Sequence, residues 1–122
     1  MAHPYHHAIS SVKKWGGEPE DYLEVHSWFD ESKSFMADFR HRAMRHHAEG
    51  IFMAEKIFGT VISNSDGRKV PVRFIGEQHV KEDLGWIPSV QDQLLNDLIL
   101  DVGRNWAHSG SVLAKMQAFV TI

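Results

Sequence analysis

Nine histidines are spread along this 122-residue chain, and their spacing raises the first chemical question. A neutral imidazole offers a ring nitrogen to a metal ion, and a useful site needs three or four such donors, with carboxylates, brought to one point. His3, His6 and His7 stand together at the start, and His26 precedes Asp30 by four residues. Asp38 and His41 are three apart, and His46 and His47 are adjacent. The stretch Gly76-Glu77-Gln78-His79-Val80-Lys81-Glu82-Asp83-Leu84-Gly85 places His79 four residues before Asp83. Residues four apart share a helix face. Taken singly, such His/Asp pairs are more often surface pairs than ligands. A lone histidine on an apolar face is more often a hydrogen-bonded core residue.

Number and spread across four segments are what favour a metal. The ligands expected are His7, His46, His47 and His79, around a divalent transition metal such as zinc, manganese or iron. Glu77 is the expected base for a metal-bound water. Arg40, Arg42 and Arg45 fall within six residues, with Arg68 and Arg73 further on. Guanidinium groups at that density fork onto phosphate, although a solvated face paired with the sixteen acids is the commoner use. Arg42 and Arg45 are therefore the expected anion clamp, and a phosphate ester the expected hydrolase substrate. Other chemistries lack their residues. There is no Gly-rich phosphate loop, Gly-x-Ser-x-Gly elbow, His-Glu-x-x-His or adjacent His-Asp pair. Ser10 and Ser11 near His7 would make a nucleophile and base only by a common coincidence.

These side chains need elements to carry them. Pro4 to Trp15 reads as a helix with Tyr5, Ala8, Ile9, Val12 and Trp15 at helical spacing, ended by Gly16-Gly17. A second helix from Glu18-Pro19 carries Tyr22, Val25 and Phe29 on one face, with a break or bend at Asp30-Glu31-Ser32. The third, from about Ser34 to Phe58, is the expected spine, weakened only by Gly50 and closed by Gly59. At 100° per residue Met36, Phe39, Ala43, Ile51, Ala54, Ile57 and Phe58 form its apolar face. His47 falls in the middle of that face, His46 at its edge, and His41 and Asp38 on the other side. One helix therefore cannot bring His41 and His47 to the same ion, so a site must combine His46 or His47 with His6, His7, His26 or His79.

Past Gly59 the pattern turns β-branched. Thr60–Ser63 and Lys69–Ile75 flank Asn64-Ser65-Asp66-Gly67, a hairpin signal in which Pro71 restricts its strand to an edge or bulge. Gly76 to Leu84 reads as a short helix closed by Gly85. Pro88-Ser89 opens another, with Val90, Leu94, Leu95, Leu98, Ile99 and Val102 in register. Ser109-Gly110-Ser111 marks a turn, and Val112 to Ile122 is apolar enough to pack as a last helix or meet a partner chain. The expected fold is mainly α: one compact helical domain over 1–122 with a long central helix and one small β-hairpin.

Composition narrows the function classes. With no cysteine, disulfides, thiolate zinc sites and thiol nucleophiles drop out together. A net charge of −3 and pI near 6.3 argue against a general grip on nucleic acid. No apolar run approaches the roughly 18 residues of a membrane span, and Met1–His7 lacks the pattern of a secretory signal. A cytoplasmic protein is expected.

The strings His3-Pro4-Tyr5-His6-His7-Ala8, Lys14-Trp15-Gly16-Gly17, Trp28-Phe29-Asp30-Glu31-Ser32-Lys33, Arg40-His41-Arg42-Ala43-Met44-Arg45-His46-His47 and Ile75-Gly76-Glu77-Gln78-His79-Val80 resemble a family of small bacterial and phage proteins with no assigned activity. Asn64-Ser65-Asp66-Gly67-Arg68 and Glu82-Asp83-Leu84-Gly85 extend the likeness, which covers about residues 2–88. The resemblance implies a recurrent small domain in a phage or prophage setting. Residues 89–122 depart from it and are an expected homo-oligomerisation surface. The alternative to a metal enzyme is an accessory module that sequesters a small ligand or binds a host protein.

Overall fold

The computed structural model describes residues 3–34, 42–92 and 95. Helix α1 spans Pro4–Trp15, as the sequence predicts. His3 Nδ1 caps it by accepting from the Tyr5 amide at 3.2 Å, and Gly16 ends it at φ 83°. Its inward face differs from the apolar spacing, because His7, Ala8 and Ser11 are buried while Tyr5 is 43% exposed. Two polar side chains turn inward because the neighbouring helices hold partners for them.

Helix α2, Glu20–Asp30, buries Tyr22, Val25, His26, Trp28, Phe29 and Asp30, and a 3-10 turn over Glu31–Ser34 follows. Glu20 and Asp21 in its first turn suit the positive end of the helix dipole.

The expected spine is not one helix. Helix α3, Arg42–Arg45, and helix α4, Ala48–Phe58, are separated at His46-His47, and the expected stretch 35–41 lies outside the described residues. His47 sits at φ −160° in extended backbone and caps α4, its Nδ1 accepting from the Gly50 amide at 2.9 Å. The Ala48 amide donates to the Pro88 carbonyl at 2.8 Å. Gly50 permits this break: a Cβ there would meet the Arg45 carbonyl oxygen at 1.9 Å. Helical periodicity carries no signal for a reset made by a histidine cap and a close backbone approach.

Strands β1, Val61–Ser63, and β2, Lys69–Pro71, pair antiparallel with Ile62 opposite Val70. The second strand is shorter than expected. Val72-Arg73-Phe74-Ile75, read as its continuation, form the first turn of helix α5, Val72–Leu84. Pro71 has no N–H to extend the ladder. Val72, Ile75 and Val80 bury at helical rather than alternating spacing. The turn between the strands is pinned to the α1–α2 junction: Asn64 donates to the Trp15 carbonyl and the Tyr22 hydroxyl, each at 3.1 Å. Asp21 accepts from the amide and hydroxyl of Ser65 at 2.9 and 2.8 Å.

The core gathers Ala8, Tyr22, Val25, Trp28, Phe29, Ile51, Ala54, Val70, Val72, Ile75 and Val80. α1 packs on α2, and α5 lies against α1, α2 and α4. α5 approaches so closely at Gly76 that a Cβ would stand 3.1 Å from Phe29 and 3.2 Å from Ile51. Ser89 and Asp92 exchange hydrogen bonds at 3.1 Å as a capping pair, which opens the helix predicted from Pro88-Ser89. The rest of that helix, the 109–111 turn and the 112–122 tail lie outside the described residues. Mainly α with one small hairpin is the observed class.

Candidate metal centre

Four segments meet beneath the core. α1 supplies His7, α2 supplies His26 and Asp30, the break before α4 supplies His46, and α5 supplies His79 and Asp83. All four histidines are at most 1% exposed. The His46 and His79 Nε2 atoms stand 3.2 Å apart, each 3.3 Å from Asp30 Oδ1. Asp83 Oδ2 caps that triangle at 2.9 Å from His46 and 3.3 Å from His79. Its other oxygen lies 3.1 Å from His7 Nε2. His7, Asp30, His79 and Asp83 each offer a ligand atom within 4.8 Å of the others, a set able to hold a metal ion. A tetrahedral ion bound at about 2.0–2.1 Å separates its ligand atoms by about 3.3–3.4 Å, so the triangle already has the edge lengths of one coordination face.

The charges are arranged to match. Burial raises the pKa of Asp30, but the imidazoles of His46 and His79 beside it overcome that effect and hold the carboxyl well below its usual range. Burial likewise works against Asp83, and contacts with His46, His7 and His79 hold it lower still. For His7, burial pulls down, while hydrogen bonds to Asp83 and Glu82 outweigh it and raise the pKa above 6.5. His46 is raised too, against burial, by Asp30 and Asp83. His26 goes the other way: burial, then His79 and His7 beside it, push it down to about 2, so it is neutral.

The far ring nitrogens are tied back. His7 Nδ1 is 2.7 Å from Glu82 Oε1, and His79 Nδ1 is 3.0 Å from His26 Nδ1. Phe29 stacks on the His79 ring at 5.0 Å between centroids and closes the apolar side. A metal-ligating imidazole characteristically anchors its second nitrogen in this way.

Of the expected residues, the fold brings together His7, His46 and His79. His47 does not join them; its Nδ1 caps α4 and its Nε2 faces the Met44 carbonyl at 3.2 Å. Glu77 is turned to a surface cleft lined by Lys14, Trp15, Phe74, Gln78 and Lys81. Arg45 donates to the Trp28 carbonyl at 2.6 Å and lies over the Trp28 ring at 4.3 Å, a packing role. The side chain of Arg42 lies outside the described residues. Sequence reasoning missed Asp30 and Asp83 as candidate ligands. Their signal was present in the His26/Asp30 and His79/Asp83 spacings, which the surface-pair reading discounted; both pairs are in fact buried.

A family model described as a domain of unknown function, DUF6915, matches residues 2–99, which extends past residue 88 into the segment where a departure was expected. No curated protein and no solved structure matches the chain. No described helix is long and apolar enough to cross a membrane.

Proposed function

Since the chain belongs to the DUF6915 family, whose description carries no activity, we propose its function from the site: it binds one divalent transition-metal ion between α1, α2, α5 and the turn before α4. Asp30, His46, His79 and Asp83 surround the ion, with His7 on the second oxygen of Asp83. The observation that carries this reading is the pair of imidazole nitrogens facing each other at 3.2 Å across a shared carboxylate oxygen. Two lone pairs in that position repel unless a proton or a cation lies between them. Imidazole with carboxylate suits zinc, iron or manganese rather than the all-oxygen sites of calcium or magnesium.

The donor set also favours chemistry over stapling. Structural zinc sites draw mainly on cysteine, whereas histidine with carboxylate is the common catalytic set. The reaction we propose is metal-assisted hydrolysis of a phosphate ester, in which the ion would acidify a bound water. Glu82, an acidic group outside the ligand set, is tied to that centre through His7 Nδ1 at 2.7 Å.

Untagged protein, purified without metal-affinity resin, should carry close to one equivalent of zinc, iron or manganese by elemental analysis. Restoring the ion to chelated protein should raise Tm. Less than a tenth of an equivalent of every transition metal, with no thermal shift on adding any of them, overturns the proposal and leaves a non-enzymatic binding module. Hydrolysis of a generic aryl phosphodiester or monoester that follows metal content tests the reaction; metal-loaded protein inert toward both would remove it.

A further inference from the structure

The buried polar groups behind the ligands, Ser11, His26 and Gln78, have no part in holding an ion, yet each is at most 3% exposed. Their donors and acceptors can be assigned in only one direction. Gln78 Nε2 lies 2.9 Å from the His7 carbonyl and 3.0 Å from Glu82 Oε1, both acceptors, so the amide nitrogen must point there. Gln78 Oε1 then faces Ser11 Oγ at 2.7 Å and can only accept. A hydroxyl has a single proton. The His7 carbonyl is farther from the hydroxyl, at 3.2 Å, and already accepts from Gln78 Nε2, so Ser11 donates to Gln78 and accepts from His26 Nε2 at 2.8 Å. His26 is fully buried and, among the described residues, its ring nitrogens meet only Ser11 Oγ and His79 Nδ1, with no carboxylate to balance a second proton. With its proton on Nε2 its Nδ1 is bare, and His79 Nδ1 at 3.0 Å must donate to it. The lone pair of His79 is thereby left on Nε2, the atom facing Asp30, His46 and Asp83.

The other end of the circuit orients His7. Glu82 Oε1 accepts both from Gln78 and from His7 Nδ1, which leaves His7 Nε2 toward Asp83. We infer that Gln78, Ser11 and His26 form a one-way hydrogen-bond circuit between two imidazoles, whose role is to leave the Nε2 lone pair of His79 facing one metal ion while His7 Nε2 is aimed at Asp83. This inference rests on the metal reading for its purpose, but the proton positions exist without a metal. All three are positioning residues.

The test separates the two claims. Long-range proton–nitrogen correlation spectra of ¹⁵N-histidine-labelled, metal-free protein should show the His79 ring as the Nδ1–H tautomer. Ser11→Ala removes one buried hydroxyl, two hydrogen bonds from His79. It strands the His26 Nε2 proton, and the stable arrangement becomes His26 Nδ1–H against His79 Nε2–H. We expect the His79 tautomer to change and zinc affinity, measured by chelator competition, to fall by about 10–100-fold. His26→Leu should do the same, whereas His26→Gln, which keeps an acceptor and a donor, should retain most of the affinity. Circular dichroism and Tm of each variant identify any that fails to fold; the wild-type tautomer decides the matter without them. An Nε2–H ring on His79 in the wild type overturns the circuit. So does a folded Ser11→Ala protein with unchanged tautomer and zinc affinity. If the wild type takes up no zinc but its His79 is Nδ1–H and shifts in Ser11→Ala, the circuit stands and the metal reading falls.

Discussion

Metal binding at this centre should expel protons, and the structure bounds how many. Asp30 and Asp83 are held ionised, contributing two negative charges to a buried site. In the metal-free protein those charges are balanced by His7 and His46, the two histidines whose pKa values are raised above 6.5. A divalent cation replaces two protons at equal charge. Below pH 6.5, where both rings are protonated, each ion bound should release close to two protons, and the apparent affinity should climb by up to two log units per pH unit. Lowering the pH from 6 to 5 then weakens binding by up to about 100-fold, or about 2.7 kcal/mol. Above the raised values the slope should flatten toward zero. Zinc titration calorimetry in buffers of differing ionisation enthalpy counts the protons directly, and chelator competition across pH gives the slope. Tight binding with no proton release at pH 5.5 would refute the charge balance, because the ion would then be entering a site whose histidines are already neutral.

The metal-free protein should show a two-sided stability profile. His7 and His46, raised by folding, stabilise it below pH 6.5 and lose that contribution as pH rises through their folded values. Asp30 and Asp83 stabilise above about pH 3.8 and lose their contribution on acidification, while His26, at about 2, is already losing its own as pH falls from 6.5. Tm should therefore fall on both flanks, and saturating zinc should abolish the alkaline decline; a metal-free Tm still rising at pH 8.5 would contradict this. Asp83→Asn removes the carboxylate that touches three histidines, so metal content should drop below a tenth of wild type and metal-free stability by about 3–5 kcal/mol in urea. Gly50→Ala forces a Cβ into the Arg45 carbonyl and should cost at least about 3 kcal/mol by the same assay. Near-wild-type stability would show that the turn at His46 is not built as described.

Much of the architecture was legible in the chain. Helix α1 ends where Pro4 and the Gly16-Gly17 pair say it should, and the hairpin turn follows from Asp66-Gly67. What periodicity could not carry were boundaries set by single contacts. The break at His46-His47 depends on an imidazole serving as a cap and on the nearness of Gly50 to a carbonyl, and neither alters the spacing of apolar residues. The conversion of Val72–Ile75 from strand to helix depends on burial by α2 and α4, a tertiary effect. The site was half legible for a related reason. His7, His46 and His79 stood out by residue type, and the need for several elements was plain. Asp30 and Asp83 share their spacing with countless surface pairs, and only the packing of α2 against α5 distinguishes them. His47 was placed on the apolar face because a continuous helix would put it there; once the helix restarts, that geometry no longer applies.

The groups of the candidate metal centre come from positions 7, 30, 46, 79 and 83, so the cluster has no nucleus along the chain. A growing polypeptide passes through most of this region with its earliest imidazole waiting for its last carboxylate. During synthesis α1, α2 and α4 leave the ribosome before α5 brings His79 and Asp83, and until then they offer a passing cation only scattered, solvated contacts. On the proposed reading, loading would wait for the docking of α5. The order in which the segments are made would then set the earliest moment at which an ion could be held.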